Sequence, residues 1–339
     1  MRKPDSDSRY LHFVRDIKNR IREAQYQALR AVNKELIRLY WDIGRMIVEM
    51  QKKYGWGKAV VATLAKDLQT EFPGMQGFSP QNLWYMRQFH DEYCKNANLQ
   101  PLVGEISWTK HLVIMAKCKD NLEREFYIRM TRRMGWTKNV LLHQIENHTY
   151  EKTMVNQTNF DKALPAPIKE RAKLAVKDEY TFGFLELAED HSEMEFERAL
   201  IARVNRFLVE MGGAFMFMGN QFRLEIDGEE FFIDILLCHR RLKCLVAVEL
   251  KVGKFLPEYI GKMQFYLAAL DEKVREKWEN PSIGIILCKE KNRTIVEYAL
   301  KESKKPIAVA QYRITDKLPK NLRKELPSPE AIRRLLEST

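Results

Sequence analysis

The 339-residue chain has no run of 18 or more apolar residues, so no segment is long enough to cross a membrane as a helix. Its first ten residues, MRKPDSDSRY, have no apolar core and do not form a secretory signal. The five cysteines show no CxxC pattern, which argues against a zinc knuckle and a disulfide framework. These absences predict a cytoplasmic protein with no membrane partner.

Positive charge is concentrated in one half of the chain. Residues 1–150 contain 25 Lys and Arg against 16 Asp and Glu, whereas residues 151–339 contain 32 against 30. Hydrophobic residues make up 45% of the chain, enough for packed cores, and the length favours two domains. The basic first half is therefore the expected docking surface for a polyanion.

Residues 215–254 consist of apolar runs separated by short turns, which is typical of buried strands. Two acids interrupt them: Asp234 lies within FFIDILL, and Glu249 closes CLVAV. Burying a lone carboxylate costs several kcal/mol or forces it to take a proton, so such acids usually have a cation as partner.

Two turns set the expected register of these strands. Centring the first turn on Asp227-Gly228, a strong two-residue hairpin signal, places Gln221 opposite Asp234. Centring the second on Arg241-Leu242 places Asp234 opposite Glu249. A bulge in either hairpin would shift this register and exchange the two faces of the strand.

Lys251 shares the face of Glu249 because side chains alternate along a strand. Mg²⁺ is usually held by one or two carboxylates together with substrate phosphates and water, and it assists attack on a phosphoryl group. A neighbouring lysine could stabilise the developing negative charge. The alternative is an Asp–Lys pair across a half-exposed sheet, but the strands are apolar on both faces, which favours a metal site at Asp234 and Glu249.

The first half of the chain is predicted to be helical, over 9–53 and 58–72 and again after Pro73–Gly77. Ser79 is a natural N-cap with Pro80 at the first helical position. Helix, short turn and capped helix is the layout of a helix-turn-helix, and an ordinary helical hairpin is the alternative. In a helix-turn-helix, five residues would lie near a DNA groove or phosphates: Ser79, Gln81, Asn82, Tyr85 and Arg87. Lys110, in the later helical segment, adds a basic group.

The second half is predicted to contain a helix over 192–210, three strands, a helix over 257–274 and a strand over 282–289, the last joined by a parallel crossover. Glu197 lies close to the buried face of the first helix and could reach a metal or its water; an exposed helix acid is the alternative. Lys262 and Gln264 on the second helix are candidates for substrate contact.

The expected domain boundaries follow from these patterns. Residues 1–150 form a helical domain and 151–180 a linker, in which Leu164–Pro167 prevents a continuous helix. Residues 181–315 form the second domain, and 316–339 form a peripheral tail.

The run FIDILLCHRRLKCLVAVELKVGKFLPEYIGKMQFYLAALD resembles the YhcG-like bacterial nuclease family of the PD-(D/E)XK superfamily. Ile233 stands where the superfamily name has proline. The first half is similar to that family's uncharacterised first domain in VNKELIRLYWDIG, GWGKAVV, LAKDLQTEFPG, GFSPQNLWYMRQF and ISWTKH. The resemblance covers nearly the whole chain.

The resemblance implies an α-helical, winged-helix-like, DNA-binding N-terminal domain and an α/β C-terminal domain of the restriction-endonuclease-like class with a mixed central sheet. Carried over position by position, the catalytic residues are Asp234, Glu249 and Lys251; Glu197 matches the acid of the first helix and Gln264 the helix glutamine of related nucleases. The implied cofactor is Mg²⁺, with Mn²⁺ as a substitute. Residues expected to contact nucleic acid in this domain are Gln221, Lys254 and Lys262.

Together these observations predict a Mg²⁺-dependent DNA endonuclease. A homodimer or higher homo-oligomer is expected, because two sites make it easier to cut both strands. The alternative is a DNA-binding or complex-scaffolding protein that keeps the nuclease fold but is inactive alone or needs a partner.

Overall fold

The computed structural model describes residues 8–55, 57–188, 190–314 and 326–337. The chain forms two compact units, Met1–Ile128 and Arg129–Thr339. This division falls within a helix and lies earlier than the expected boundary at residue 150, which stays a prediction.

Helices make up the first unit. They are α1 Ser8–Tyr54, α2 Lys58–Glu71, α3 Pro80–Tyr93, α4 Trp108–Lys117 and the first part of α5 Asn121–Met134, with a short 3-10 turn at Gln100–Leu102. The predicted helices over 9–53 and 58–72 agree with α1 and α2. Gly44 lies where α1 meets the backbone of Met86 on α3, and the close approach leaves no room for a side chain.

The α2–turn–α3 segment has the predicted helix–turn–helix order. Ser79 is the N-cap of α3, its side chain accepts a hydrogen bond from the backbone N–H of Asn82 at 3.2 Å, and Pro80 opens the helix. No strand occurs in residues 8–55 and 57–128, so the structure confirms a helical first domain but shows no β wing.

The second unit combines short helices with one sheet. Its helices are the end of α5, α6 Lys138–Glu146, α7 Thr149–Met154, α8 Phe160–Ala163, α9 Ala166–Lys173, α10 Glu193–Ala202, α11 Val204–Met211, α12 Glu258–Lys273, α13 Arg293–Lys301 and α14 Pro329–Glu337. Its strands are β1 Gln157–Thr158, β2 Glu179–Thr181, β3 Phe215–Ile226, β4 Glu229–His239, β5 Cys244–Lys254, β6 Ile283–Glu290 and β7 Ile307–Arg313.

The sheet is mixed, as expected. Its order is β1-β7-β6-β5-β4-β3, and β2 also pairs with β7. The β3–β4, β4–β5 and β1–β7 pairs are antiparallel, whereas β5–β6, β6–β7 and β2–β7 are parallel. The helix α12 forms the predicted crossover between β5 and β6.

The predicted strand register is confirmed near both turns. The pairs Ile226↔Glu229 and Ile235↔Val248 lie where centring on Asp227-Gly228 and Arg241-Leu242 places them. Asp227 and Gly228 both have positive φ, 52° and 83°, as a tight primed turn requires. A bulge does occur, but it lies between Phe217 and Gly219, beyond the acidic positions.

Two apolar layers cover the sheet. Leu267 and Leu270 of α12 pack with Ile286 and Val309 in one buried cluster. Tyr312 has the opposite parity from Val309 on β7 and so faces the other side of the sheet. There it forms an aromatic cluster with Phe182 and Phe196, the second of which lies on α10.

Three expectations differ from the structure. The segment 151–180 is not a free linker, because it contributes β1 and part of β2 to the sheet. The helix predicted over 192–210 is broken at Arg203, whose φ and ψ are −123° and 34°, into α10 and α11. Within the tail, the described part contains α14, whose Ile332 and Leu336 are buried; residues 316–325 and 338–339 lie outside the described residues.

Buried ion pairs anchor the segment before β2. Lys177 donates to Glu210 Oε1 at 2.9 Å, and Lys291 donates to Asp178 Oδ1 at 2.5 Å. Glu179 accepts from Arg313 at 2.5 Å. Successive side chains at 177–179 therefore tie this segment to three different elements, which explains why it belongs to the domain core.

In the described residues no helix combines the length and the apolar character that a membrane-spanning segment needs.

Candidate active site

The two acids of the central hairpin lie where β4 and β5 leave the buried part of the sheet. The β4–β5 ladder runs to Ile235↔Val248, and its register places Asp234 opposite Glu249. Asp234 Oδ2 accepts a hydrogen bond from the backbone N–H of Leu250 at 2.8 Å. The hairpin thus brings the two carboxylates together without any contribution from a distant loop.

Glu249 is almost completely buried, with 2% of its surface exposed. Its Oε1 accepts from Lys262 and lies 3.2 Å from Lys251 Nζ. Its Oε2 is buried and has no hydrogen-bond partner among the described residues. A buried carboxylate oxygen without a partner is costly, so this atom is a natural ligand position for a cation.

Asp234 holds its proton more tightly than an ordinary carboxyl group. Burial and the neighbouring charge of Glu249 raise the pKa of Asp234 to about 6, despite the hydrogen bond from Leu250. The two carboxylates repel each other when both are charged, and a bound cation would offset that repulsion.

Lys251 lies between two acids. Its Nζ is 3.1 Å from Glu193 Oε2 and donates to the carbonyl of Leu250 at 2.9 Å. Burial alone would lower the pKa of Lys251, but Glu249 and Glu193 outweigh it and raise the pKa, so the ammonium group stays charged. The ring of Tyr259 lies 5.5 Å from Nζ and adds a cation–π contact.

Glu193 was not among the predicted site residues. It lies one helical turn before Glu197 on α10, and the i, i+4 spacing places both acids on one face of the helix. That spacing, directly after the capping residue Ser192, was the signal that could have identified it.

Glu197 faces β3. It accepts hydrogen bonds from the amides of Asn220 at 2.8 Å and Gln221 at 2.5 Å. Gln221 has a left-handed backbone with φ 45°, and the flanking pairs Asn220↔Ile235 and Phe222↔Ile233 place it opposite Asp234, as centring on Asp227-Gly228 predicts. The predicted Glu197 and Gln221 therefore contact each other on the α10 side of the hairpin.

On α12 the structure separates the two predicted residues. Lys262 contacts Glu249, whereas Gln264 accepts from the backbone N–H of Lys304 at 3.1 Å. Two residues apart on a helix point in different directions, so only Lys262 reaches the acids. Lys254 is exposed at the end of β5, 3.9 Å from Glu290.

The predicted contacts of the first unit have other partners in the structure. Asn82 is part-buried and accepts from the indole N–H of Trp108 at 2.7 Å. Arg87 donates to Gln51 at 2.5 Å, and Gln81 donates to the hydroxyl of Tyr85 at 2.9 Å. Asn82 and Arg87 thus hold the first unit together, whereas Ser79 and Gln81 remain exposed.

Lys110 lies half-buried on α4, and burial lowers its pKa.

Two carboxylates of the second unit are suited to bind a divalent cation. The described part of the chain contains no cluster of three or more His, Cys, Asp or Glu suited to a metal. Asp234 and the unpartnered oxygen of Glu249 nevertheless match the hard-oxygen donors that Mg²⁺ prefers when substrate and water complete its shell.

A hairpin that presents Asp, then Glu-x-Lys, on a mixed sheet flanked by helices defines the PD-(D/E)XK class of nucleases. A family model for the YhcG PDDEXK nuclease domain matches residues 173–327, and one for the DUF1016 N-terminal domain matches residues 16–152. The chain belongs to this YhcG nuclease family.

One relative is similar over almost its whole length. It is described as "Putative nuclease YhcG" from Escherichia coli (strain K12), is 31% identical over 344 residues, and each chain covers 91% of the other. Among solved structures, a repair endonuclease from Pyrococcus abyssi aligns over 38% of this chain and 49% of its own at 21% identity, with a TM-score of 0.26.

Proposed function

We propose that this protein is a metal-dependent endonuclease that hydrolyses DNA phosphodiester bonds, with Mg²⁺ as its metal and Mn²⁺ as a substitute. The observation that carries the proposal is the pair of half-buried Asp234 and buried Glu249, which is flanked by Lys251 and contains one carboxylate oxygen without a partner among the described residues. PDDEXK nucleases generally use divalent metals.

Asp234 and Glu249 would hold the metal. The cation, when bound, supplies an activated water and neutralises charge on the phosphate. Lys251, charged and held in place by Glu193, is positioned to stabilise negative charge that develops on the phosphate oxygens. Glu197 would act from α10, oriented by the two amides of β3.

Nucleic acid would be held by basic and polar groups in both units. In the second unit these are Gln221, Lys254 and Lys262. In the first unit, Ser79, Gln81 and Lys110 are proposed to dock DNA, supported by the excess of basic residues in 1–150 and the capped start of α3. We also propose that the protein works as a homo-oligomer.

Supercoiled plasmid tests the activity directly. We expect the wild-type protein to nick or linearise the plasmid with Mg²⁺ or Mn²⁺ and to be inactive in EDTA. Lys251→Ala should lose cleavage while retaining its fold by circular dichroism. Cleavage that persists in EDTA would contradict the metal assignment; intact DNA binding without cleavage, on plasmid and on branched substrates, would favour the scaffolding alternative.

The two predicted residues of α12 should differ in their effect. Lys262→Ala removes a cation that contacts Glu249, so we expect cleavage to fall by about 10-fold or more. Gln264→Ala lies on the same helix but accepts from the Lys304 backbone, so its rate should stay within about 2-fold of wild type. Initial rates of plasmid nicking at saturating Mg²⁺ measure both; equal losses would show that Gln264 belongs to the site after all.

A further inference from the structure

Many apolar side chains of helix α1 are exposed and are not covered by the rest of its unit. Its residues from 10 to 32 are exposed apart from Val14, which is half-buried, with Tyr26 left undescribed. Ile17 and Ile21 are 43% and 51% exposed, and Val32 is 67% exposed. An isolated apolar face of this length on a soluble protein marks an interaction surface.

The later part of α1 has two apolar faces. One face, including Ile37, Tyr40 and Val48, is buried against its own unit. The other carries Leu36, Leu39 and Met46 at 39%, 42% and 56% exposure. The second face continues the exposed face of the first part of the helix, so a single stripe runs along α1.

The spacing of this stripe is symmetric. Counted from either end, successive residues of the stripe are four, three, four, three and four positions apart, and the central pair is again four positions apart. The stripe, called here the α1 stripe, consists of Tyr10, Val14, Ile17, Ile21, Ala24, Ala28, Val32, Leu36, Leu39, Ile43, Met46 and Met50. Alternating steps of three and four form the seam of a coiled coil, and the two extra four-residue steps at the centre are consecutive stutters, which such seams accommodate.

Because the stripe reads the same in both directions about residue 30, residue i of one copy can face residue 60 − i of an antiparallel second copy. Ile21 then meets Leu39, and Ile17 meets Ile43. The six layers, each formed twice by symmetry, are Tyr10–Met50, Val14–Met46, Ile17–Ile43, Ile21–Leu39, Ala24–Leu36 and Ala28–Val32. An isologous contact of this kind closes as a two-fold dimer and leaves no stripe residue without a partner.

We propose that two copies of this chain pair through α1 as an antiparallel coiled coil, with the two-fold axis near residue 30. The overlap from residue 10 to residue 50 is about 60 Å long at the rise of an α-helix. Self-association through this surface does not depend on nuclease activity.

Charge beside the stripe supports this occupant. In the antiparallel register Arg20 of one copy lies beside Asp42 of the other, and both side chains are accessible in the single chain, at 83% and 46% exposure. Glu35, Asp42 and Glu49 of the later part border one side of the stripe, and Arg20 is the basic residue that the register places beside one of them. The register thus pairs opposite charges at this position.

A groove lies where the end of the partner helix would arrive. It is lined by α1 and α2, with Met46, Met50, Val60 and Leu64 among its residues. In the antiparallel register Tyr10 and Val14 of the second copy reach Met50 and Met46 on the groove wall. The groove extends the apolar contact beyond the coiled-coil seam.

The mass of the full chain in solution tests the proposal. Light scattering with size exclusion should give twice the chain mass for wild type. Ile21→Asp and Leu39→Asp should each weaken the dimer at least about 100-fold, because each places two carboxylates in apolar layers. Asn19→Asp adds the same charge two residues from Ile21, outside the stripe, and should leave the dimer intact.

Circular dichroism and thermal melting check that the variants fold; Ile21 is half exposed in a single chain, so its substitution should not disturb the monomer. A monomeric wild type, or dimers that survive both stripe substitutions, would overturn the proposal.

Cysteine cross-linking tests the direction of the pair. Under oxidation, a mixture of Ile21→Cys and Leu39→Cys proteins should form a cross-linked heterodimer, whereas neither variant alone should cross-link. The wild-type protein, with its native cysteines including the half-buried Cys94, serves as the background control. Self-cross-linking of Ile21→Cys would indicate a parallel pair and contradict the antiparallel register.

Discussion

Glu249→Ala should abolish DNA cleavage, by about 10³-fold or more, and leave DNA binding intact. Glu249 provides the buried oxygen without a partner and is also the acid that Lys251 and Lys262 share. Its loss removes a proposed metal ligand and leaves the positions of both lysines less defined. Because the substitution removes a negative charge, affinity for DNA should stay unchanged or increase slightly.

The measurement is the single-turnover cleavage rate, with DNA affinity from fluorescence anisotropy at several salt concentrations. Glu229→Ala is a suitable control, since this exposed acid lies at the start of β4, beside the β3–β4 turn. The fold should persist, because Lys262 is 47% exposed at its side chain and can turn to solvent. A Glu249→Ala protein that cuts like wild type would show that the site has been placed wrongly.

Glu210→Gln should destabilise the second unit by about 3–5 kcal/mol, the usual loss when one partner of a buried ion pair is removed. Glu210 on α11 is completely buried. It accepts from Lys177 at 2.9 Å and from the backbone N–H of Thr181 at 3.0 Å, and lies 2.9 Å from His143 Nε2. An amide in its place leaves the buried Lys177 ammonium without a counter-charge.

The same carboxylate predicts how stability depends on pH. Burial alone would raise the pKa of Glu210, but the Lys177 charge and the hydrogen bond with His143 outweigh it and hold the pKa at about 2. An unfolded glutamate has a pKa of about 4.3. The stabilisation is therefore present above that value and lost as the pH falls toward 2.

Urea denaturation between pH 2 and 7 measures both effects. Glu210→Gln should lower the free energy of unfolding at pH 7 and flatten its dependence on pH below about 4.5. Glu272→Gln, an exposed acid on α12, should change neither. Equal free energies of unfolding for Glu210→Gln and wild type at pH 7 would mean that the buried ion pair does not stabilise the fold.

The site on the hairpin was predictable because it depends on local rules. A two-residue turn at Asp227-Gly228 fixes one register, and side-chain alternation fixes which residues share a face. The pairing of β4 with β5 follows in the same way from centring on Arg241-Leu242, as the observed Ile235↔Val248 pair shows. The bulge near Met218 was allowed for, but nothing in the sequence located it.

Contacts that depend on how helices pack were harder to predict from the sequence. Gln264 and Lys262 were both placed near substrate, but only the docking of α12 on the sheet decides which of them reaches Glu249. Glu193 was missed for the same reason, since its contact with Lys251 depends on the position of α10 against β5. The hydrogen bond that Asn82 accepts from Trp108 likewise depends on how α3 and α4 pack, and the predicted contact of Asn82 with DNA stays a prediction.

The sequence by itself determined most of the helices, the strands of the central hairpins with their turns, and the acidic pair with its lysine, because these follow from local periodicity and turn chemistry. Tertiary structure alone decided that residues 151–180 belong to the sheet and that Lys177, Asp178 and Glu179 are buried with partners far along the chain. Those partners are chosen by packing between distant elements. Such packing minimises unpaired buried charge across the whole domain, and no short stretch of sequence encodes it.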